Sequence, residues 1–174
     1  MKKIGGSGQK WLKAFHVFFA ALWLGGAITL TLKQFFVNPT DGMELYGITH
    51  TLKFVDDFII IPGGVGSLLT GMIYSIWTNF GWFKHNWIIV KWCINLFGVL
   101  FGNFFLGPWL NVLPPLVLDK GMAALSDPVF THNSNMLMIF GPFQAATIVF
   151  AIFVSTIKPW KRKKLSSSLS KAPV

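Results

Sequence analysis

The stretch Ala14–Gly26 reads AFHVFFAALWLGG, an apolar run with a single histidine close to its start. At the period of an α-helix, His16, Ala20 and Trp23 share one face, which combines a nitrogen ligand, a small residue and a flat aromatic ring. An ionisable side chain inside a membrane segment is costly and usually has a function. We interpret the stretch as a membrane-spanning helix. Its His16 is either a ligand or proton carrier, or a buried histidine that hydrogen-bonds a neighbouring backbone.

The composition of the whole chain is that of a membrane protein. Of the 174 residues, 53% are hydrophobic and 12% are charged, and 18 phenylalanines and 8 tryptophans are present. A helix that crosses a bilayer needs roughly 20 mostly apolar residues. Four segments meet this requirement, at about 11–36, 54–78, 87–118 and 135–158. The sequence therefore predicts an all-α fold, a polytopic membrane protein built as a four-helix transmembrane bundle.

The formal net charge of +9 does not indicate nucleic-acid binding, because the basic residues lie at the ends of the membrane segments. They cluster before the first segment and after the last, which places both termini in the cytoplasm by the positive-inside rule. We predict a single transmembrane domain over residues 1–160 and a basic, disordered tail over 161–174 that rests on anionic lipid. The bilayer is thus a predicted partner, and a homo-oligomer stays open.

A second polar face is predicted in the third segment, where Lys91 and Asn95 are four residues apart. The first and third segments run in the same direction, and His16 and Lys91 each follow their segment's start by about five residues. At roughly 1.5 Å per residue the two side chains lie at the same depth. This predicts an inner site near the cytoplasmic side. The alternative is that Lys91 only extends to the lipid headgroups.

A weaker pair of histidines is predicted on the opposite side of the membrane. His50 precedes the second segment, and His132 precedes the fourth. Together the two imidazoles could ligate the iron of a haem that is separate from the inner site. Alternatively, they could bind copper with Met136, since a thioether suits Cu(I).

Prolines and short loops give the predicted breaks of the helices. Pro62, followed by two glycines, is expected to kink the second segment. Pro108 and the pair Pro114-Pro115 are expected to break the third helix near the outer surface. Loops are predicted at about 79–86 and 119–133.

The inner residues suit haem. A haem site needs an imidazole or similar axial ligand, small residues along the ring faces, and cations or amides for the propionates. His16, the glycines of the third segment, and Lys91 with Asn95 supply these groups. No CxxCH motif is present, so covalent attachment is excluded and the predicted cofactor is haem b, in one or two copies.

Several stretches also resemble known families. AFHVFFAALWLGG is similar to the first helix of copper-resistance D-type membrane proteins and of bacterial haem-containing membrane protoporphyrinogen oxidases, and NWIIVKW resembles the third-helix segment of those oxidases. IIIPGGVGSLLTGMIYSIW and GWFKHNWIIVKW look most like an uncharacterised family of predicted four-helix integral membrane proteins. The resemblance to the oxidases implies that His16 is a haem ligand and that Lys91 is functional.

The same resemblance implies a location in the bacterial cytoplasmic membrane and a redox role. This role would be electron transfer or the oxidation of a porphyrinogen or quinol, with a quinone or porphyrin as partner and a membrane oxidoreductase as the possible enzyme class. Two other classes stay open: a membrane protein that handles copper or another ion, and a cofactor-free assembly subunit.

Overall fold

The computed structural model describes residues 4–78 and 86–158, and within these ranges the chain is helical and contains no strand. Helix α1 spans Gly6–Phe36. The second rod consists of α2 (Gly42–Val55), a π-helical turn (Asp56–Ile60) and α3 (Ile61–Trp77). The third rod consists of α4 (Asn86–Phe101), a π turn (Gly102–Leu106), α5 (Gly107–Asn111), α6 (Leu113–Lys120) and a 3₁₀ turn (Gly121–Ser126). Helix α7 (Pro128–Ile157) is the fourth rod.

All four rods are long and apolar enough to cross a membrane. Many large apolar side chains lie on the outside of the bundle, among them Phe36, which is 76% exposed, and Phe104, which is 69% exposed. Such a surface would be unfavourable in water but matches the interior of a bilayer. The predicted all-α, four-helix transmembrane bundle is therefore confirmed, and the protein is a membrane protein.

The two ends of the bundle are distinguished by where the chain begins and ends. The backbone N–H of Ile4 donates to the carbonyl of Trp77 over 3.1 Å, and the ammonium of Lys158 lies 5.5 Å from the ring centre of Trp87. These four residues mark what we call the terminal side. The opposite end, where α1 meets α2 and where α7 begins, is the far side.

Helix α2 begins at the far side through a reciprocal cap. The Asp41 carboxylate accepts the backbone N–H of Glu44 over 2.8 Å, and the Glu44 carboxylate accepts the backbone N–H of Thr40 over 2.6 Å. These bonds satisfy backbone donors that the first turn of a helix leaves without partners.

Helix α7 begins inside the segment that was predicted to be a loop. Asp127 accepts the N–H of Val129 over 2.7 Å and Pro128 takes the first helical position, a favourable start for a helix. His132 consequently lies in a helix rather than in a loop. Of the other predicted segments, residues 79–85 and the tail over 161–174 lie outside the described residues.

The prediction that Pro108 breaks the third helix is wrong. The chain stays helical because a π turn precedes the proline, in which the N–H of Gly107 donates to the carbonyl of Gly102, five residues back. This wider turn accommodates a residue that has no N–H. Pro62 follows the other π turn in the same way. The Pro114 pair does coincide with a short interruption, at Val112.

The far side contains a tightly packed apolar cluster, which we call the far-side core. Leu45 is 2% exposed, Val117 is 1% exposed, and the hydroxyl of buried Thr49 donates to the carbonyl of Leu45 within its own helix. Burial of these side chains stabilises the junction of the second, third and fourth rods. The cluster comprises Leu45, Leu52, Leu110, Leu113, Val117, Ala124 and Phe130.

Candidate functional site

A cavity of about 640 Å³ lies between α1, α3, α4 and α7 on the terminal side. We call it the terminal-side cavity. Its volume falls in the range of roughly 300–1,000 Å³ that is usual for small-molecule and cofactor sites. His16, Lys91 and Asn95 all line it, so the structure brings the three residues of the predicted inner site together.

The hydrogen bonds around His16 determine which ring nitrogen is free. His16 Nδ1 lies 2.8 Å from Thr70 Oγ1, and the single hydroxyl proton of Thr70 is directed at the carbonyl of Gly66, 2.6 Å away. Thr70 must therefore accept from His16, which places the imidazole proton on Nδ1. Nε2 then carries a lone pair, and no hydrogen bond to it is found in residues 4–78 and 86–158. A histidine held in this way is oriented as a metal ligand or a base.

Small residues keep space open beside the imidazole. Ala20 lines the cavity one turn after His16 on the same helix. Across from it, a Cβ placed on Gly71 would lie 3.7 Å from His16 Cε1, so α3 approaches the ring without a side chain between them. A flat ligand could thus lie against the imidazole.

Three lysines line the cavity, and no carboxylate does so among the residues that the structure describes. Lys91 Nζ donates to Ser155 Oγ over 3.0 Å, and Asn95 donates to the carbonyl of Lys91 over 3.3 Å. Lys91 is thus linked to α7 by a hydrogen bond at the cavity wall. Lys13 and Lys158 provide the other two charges. The cavity favours an anionic ligand.

The end of α7 lies beside the cavity. Lys158 caps this helix in the left-handed conformation, with φ of 51°, and its ammonium lies over the ring of Trp87. This conformation is uncommon for a residue with a side chain. The cation–π contact holds a positive charge at this edge of the cavity.

The indole ring of Trp23 forms the floor of the cavity and extends from α1 to Gly98 of α4. Trp23 is 5% exposed and packs where glycines leave room. A Cβ on Gly63 would lie 2.6 Å from the backbone nitrogen of Trp23, and one on Gly98 would lie 2.9 Å from the far edge of its ring. Gln144 closes the same level by donating to the carbonyl of Gly98 over 3.1 Å. The cavity is therefore separated from the far-side core.

The predicted outer pair is placed differently. His50 is exposed on α2 with its ring 5.5 Å from the ring of Tyr46, and His132 is exposed near the start of α7. No hydrogen bond or ring contact joins the two histidines in the described part of the chain, and no cluster of three or more His, Cys, Asp or Glu residues there could hold a metal ion. Their role, with or without Met136, stays a prediction.

Several cavity residues were not predicted from the sequence. Thr70, which orients His16, is one hydroxyl among many in apolar helices and gives no distinct signal. Lys13 and Lys158 were interpreted only as charges that set the topology. Ser155 is one of several polar residues on the last helix, and its bond to Lys91 requires the packed structure.

No family model matches this chain, and comparisons with curated proteins and with solved structures likewise give no match. Function is therefore inferred from the residues of the cavity.

Proposed function

We propose that the terminal-side cavity binds b-type haem, with His16 as an axial ligand, and that the protein has a redox role in the membrane. The observation that carries this proposal is the pairing of a free imidazole Nε2 with three lysines and no carboxylate around one cavity of about 640 Å³. Haem has the matching chemistry, since its iron takes an imidazole nitrogen and its two propionates are anionic.

Each group of residues would have its own task in haem binding. Thr70 keeps the proton on His16 Nδ1, so that Nε2 is available. Lys91 and Asn95 would hold a propionate, in a charge-assisted bond that is roughly twice as strong as a neutral one. Ala20 and Gly71, which leave space beside the imidazole, would accommodate the flat ring. Bound haem would supply one-electron chemistry at its iron.

The redox role supported best is electron transfer or the oxidation of a porphyrinogen or quinol. The cavity lies at the terminal side, and its apolar walls, which include Leu24 and Ile148, suit a membrane-soluble partner. A quinone or a porphyrin is such a partner.

An absorption spectrum of the protein purified from membranes tests the proposal. We expect a Soret band that sharpens on reduction with dithionite. A colourless protein that contains stoichiometric copper would contradict haem binding and favour copper handling through His50, His132 and Met136. A colourless protein without metal would favour a cofactor-free assembly subunit.

We further propose that the terminal side faces the cytoplasm of a bacterial cell. Lys10, Lys13 and Lys158 lie at this side, as the positive-inside rule requires of cytoplasmic ends. Reporter fusions at Val174 and between Gly121 and Ser126 test the orientation. A periplasmic signal from the C-terminal fusion would contradict it but would leave the cavity and its ligands unaffected.

A further inference from the structure

A buried carboxyl group lies far from the terminal-side cavity, at the junction of two π turns. Asp56 ends α2 and begins the first π turn, and it is 8% exposed. The second π turn, Gly102–Leu106, lies opposite in the third rod. Both turns end two residues before a proline. Such π turns are rare and are frequently found at functional sites.

The Asp56 carboxyl group lies beside Gly107, the residue that follows the second π turn. A Cβ placed on Gly107 would lie 3.8 Å from Asp56 Oδ2 and 3.3 Å from the carbonyl oxygen of Gly102. The carboxyl group of one rod and a backbone carbonyl of the next thus approach the same point. Because the Gly102 carbonyl already accepts the N–H of Gly107, it offers the Asp56 carboxyl group no donor.

Among the described residues, no basic side chain forms an ion pair with Asp56. On its own rod, Lys53 pairs with Asp57 over 2.6 Å, and both of these side chains are 36% exposed. From α1, Lys33 forms no ion pair with Asp56, and residues 102–111 of the third rod include no ionisable group. Among the described residues no hydrogen bond reaches the Asp56 carboxyl group. An isolated buried carboxylate is so costly that the group takes up a proton instead.

We propose that Asp56 is a proton-binding site: its carboxyl group holds a proton at the meeting point of the two π turns and exchanges that proton with the far side. The route is short, because the half-exposed Lys53–Asp57 pair is adjacent in the chain. In release, the O–H bond of Asp56 breaks and the proton passes to water, directly or through the Asp57 carboxylate. Uptake is the reverse. The site does not depend on haem.

Infrared spectroscopy of the full-length protein in lipid vesicles tests this site. The chain has only 6 aspartates and glutamates, so the carbonyl band of a protonated carboxylic acid can be assigned by substitution. At neutral pH we expect such a band, shifted in heavy water, and its complete loss in Asp56→Asn. Asp119→Asn, at an exposed aspartate of α6, is the matched control and should keep the band.

Three outcomes would overturn the proposal. The first is a wild-type spectrum without the band, and the second is a band that persists in Asp56→Asn. The third is a band that disappears when sodium is added at constant pH, which would indicate a cation site. Should Asp56→Asn fail to fold, Gly107→Ala places a methyl group against the carboxyl group and should shift the band. An unshifted band in that variant would also overturn the proposal.

Discussion

The far-side core and the terminal-side cavity are built from the same bundle, yet they fill the space between the helices in opposite ways. In the far-side core, Leu110 and Val117 are almost completely buried among other apolar side chains. In the cavity, His16 and Lys91 are half-buried around a volume of about 640 Å³. Close packing stabilises a fold, whereas a polar space within it loses packing energy. The difference indicates that the far side maintains the bundle and that the terminal side is formed for a ligand.

Removing a large side chain from the far-side core should give the largest effect on stability. Leu110 is 2% exposed, and Leu110→Ala should lower the free energy of unfolding by ~2–5 kcal/mol, because it leaves a void among packed neighbours. Leu68→Ala is the matched control in the cavity wall and should cost clearly less, since one side of Leu68 already faces open space. Denaturant titration in detergent measures both values. Equal losses would contradict the contrast between the two regions.

Loss of the hydroxyl that orients His16 should weaken haem binding without unfolding the protein. Thr70→Val keeps the shape of the side chain but removes the acceptor of the Nδ1 proton. Partners of metal-bound histidines typically contribute 10–100-fold to affinity, and we expect a loss of roughly that size. Thr49→Val, at a buried threonine of the far-side core, is the control and should leave haem affinity unchanged. Unchanged haem affinity in Thr70→Val would mean that His16 binds haem without the hydrogen bond to Thr70.

The charge of Lys91 should contribute somewhat less. Lys91→Met keeps a long apolar chain but removes the donor that reaches across the cavity, and we expect about a tenfold weaker affinity for haem. Lys120→Met removes the same charge from the far-side surface, where it pairs with Asp127, and should leave affinity unchanged. Haem titration of both variants gives the comparison. Equal affinities would indicate that Lys91 only serves the packing of α4 on α7.

The smallest effect is expected at the surface of the far side. The hydrogen bond from Lys120 lowers the pKa of Asp127 below its ordinary value, so this carboxylate stabilises the fold at neutral pH. Asp127→Asn keeps a good helix cap and should lower the unfolding temperature only slightly at pH 7. The difference should shrink as the pH falls below about 3.9, where the carboxyl group of the unfolded chain takes up a proton, and vanish once the pH is below the lowered pKa of the folded state. A large difference in unfolding temperature that persists at low pH would indicate that Asp127 stabilises the fold as a helix cap rather than through its charge.

The sequence predicted the number of helices well because a bilayer sets the length of an apolar segment. The helical period then placed His16 and Ala20 together on one face of α1. Because His16 and Lys91 lie at equal depth in their segments, the sequence also predicted that Lys91 lies near them. The two π turns were not predicted, since they depend on how a helix adjusts before Pro62 and Pro108 in a packed bundle.

The partners of the cavity residues were also beyond the sequence. Which of the many hydroxyl groups contacts His16 depends on how α3 is rotated against α1 and on how closely the two helices approach. Gly63 and Gly66 permit this close approach. The burial of Asp56 has the same origin. In the sequence Asp56 and Asp57 are adjacent and not distinguished, whereas in the structure Asp56 is buried and Asp57 is paired with Lys53.

The most direct measurement of the central claim is a titration of the purified, full-length protein with haem, followed in the Soret region, for the wild type and for two single histidine variants. We expect saturable binding by the wild type and by His50→Ala, whose histidine is exposed on the far side. His16→Ala should lose binding or change the ligation seen in the spectrum. Full binding with an unaltered spectrum in His16→Ala would contradict the account, because His16 would then be a structural histidine.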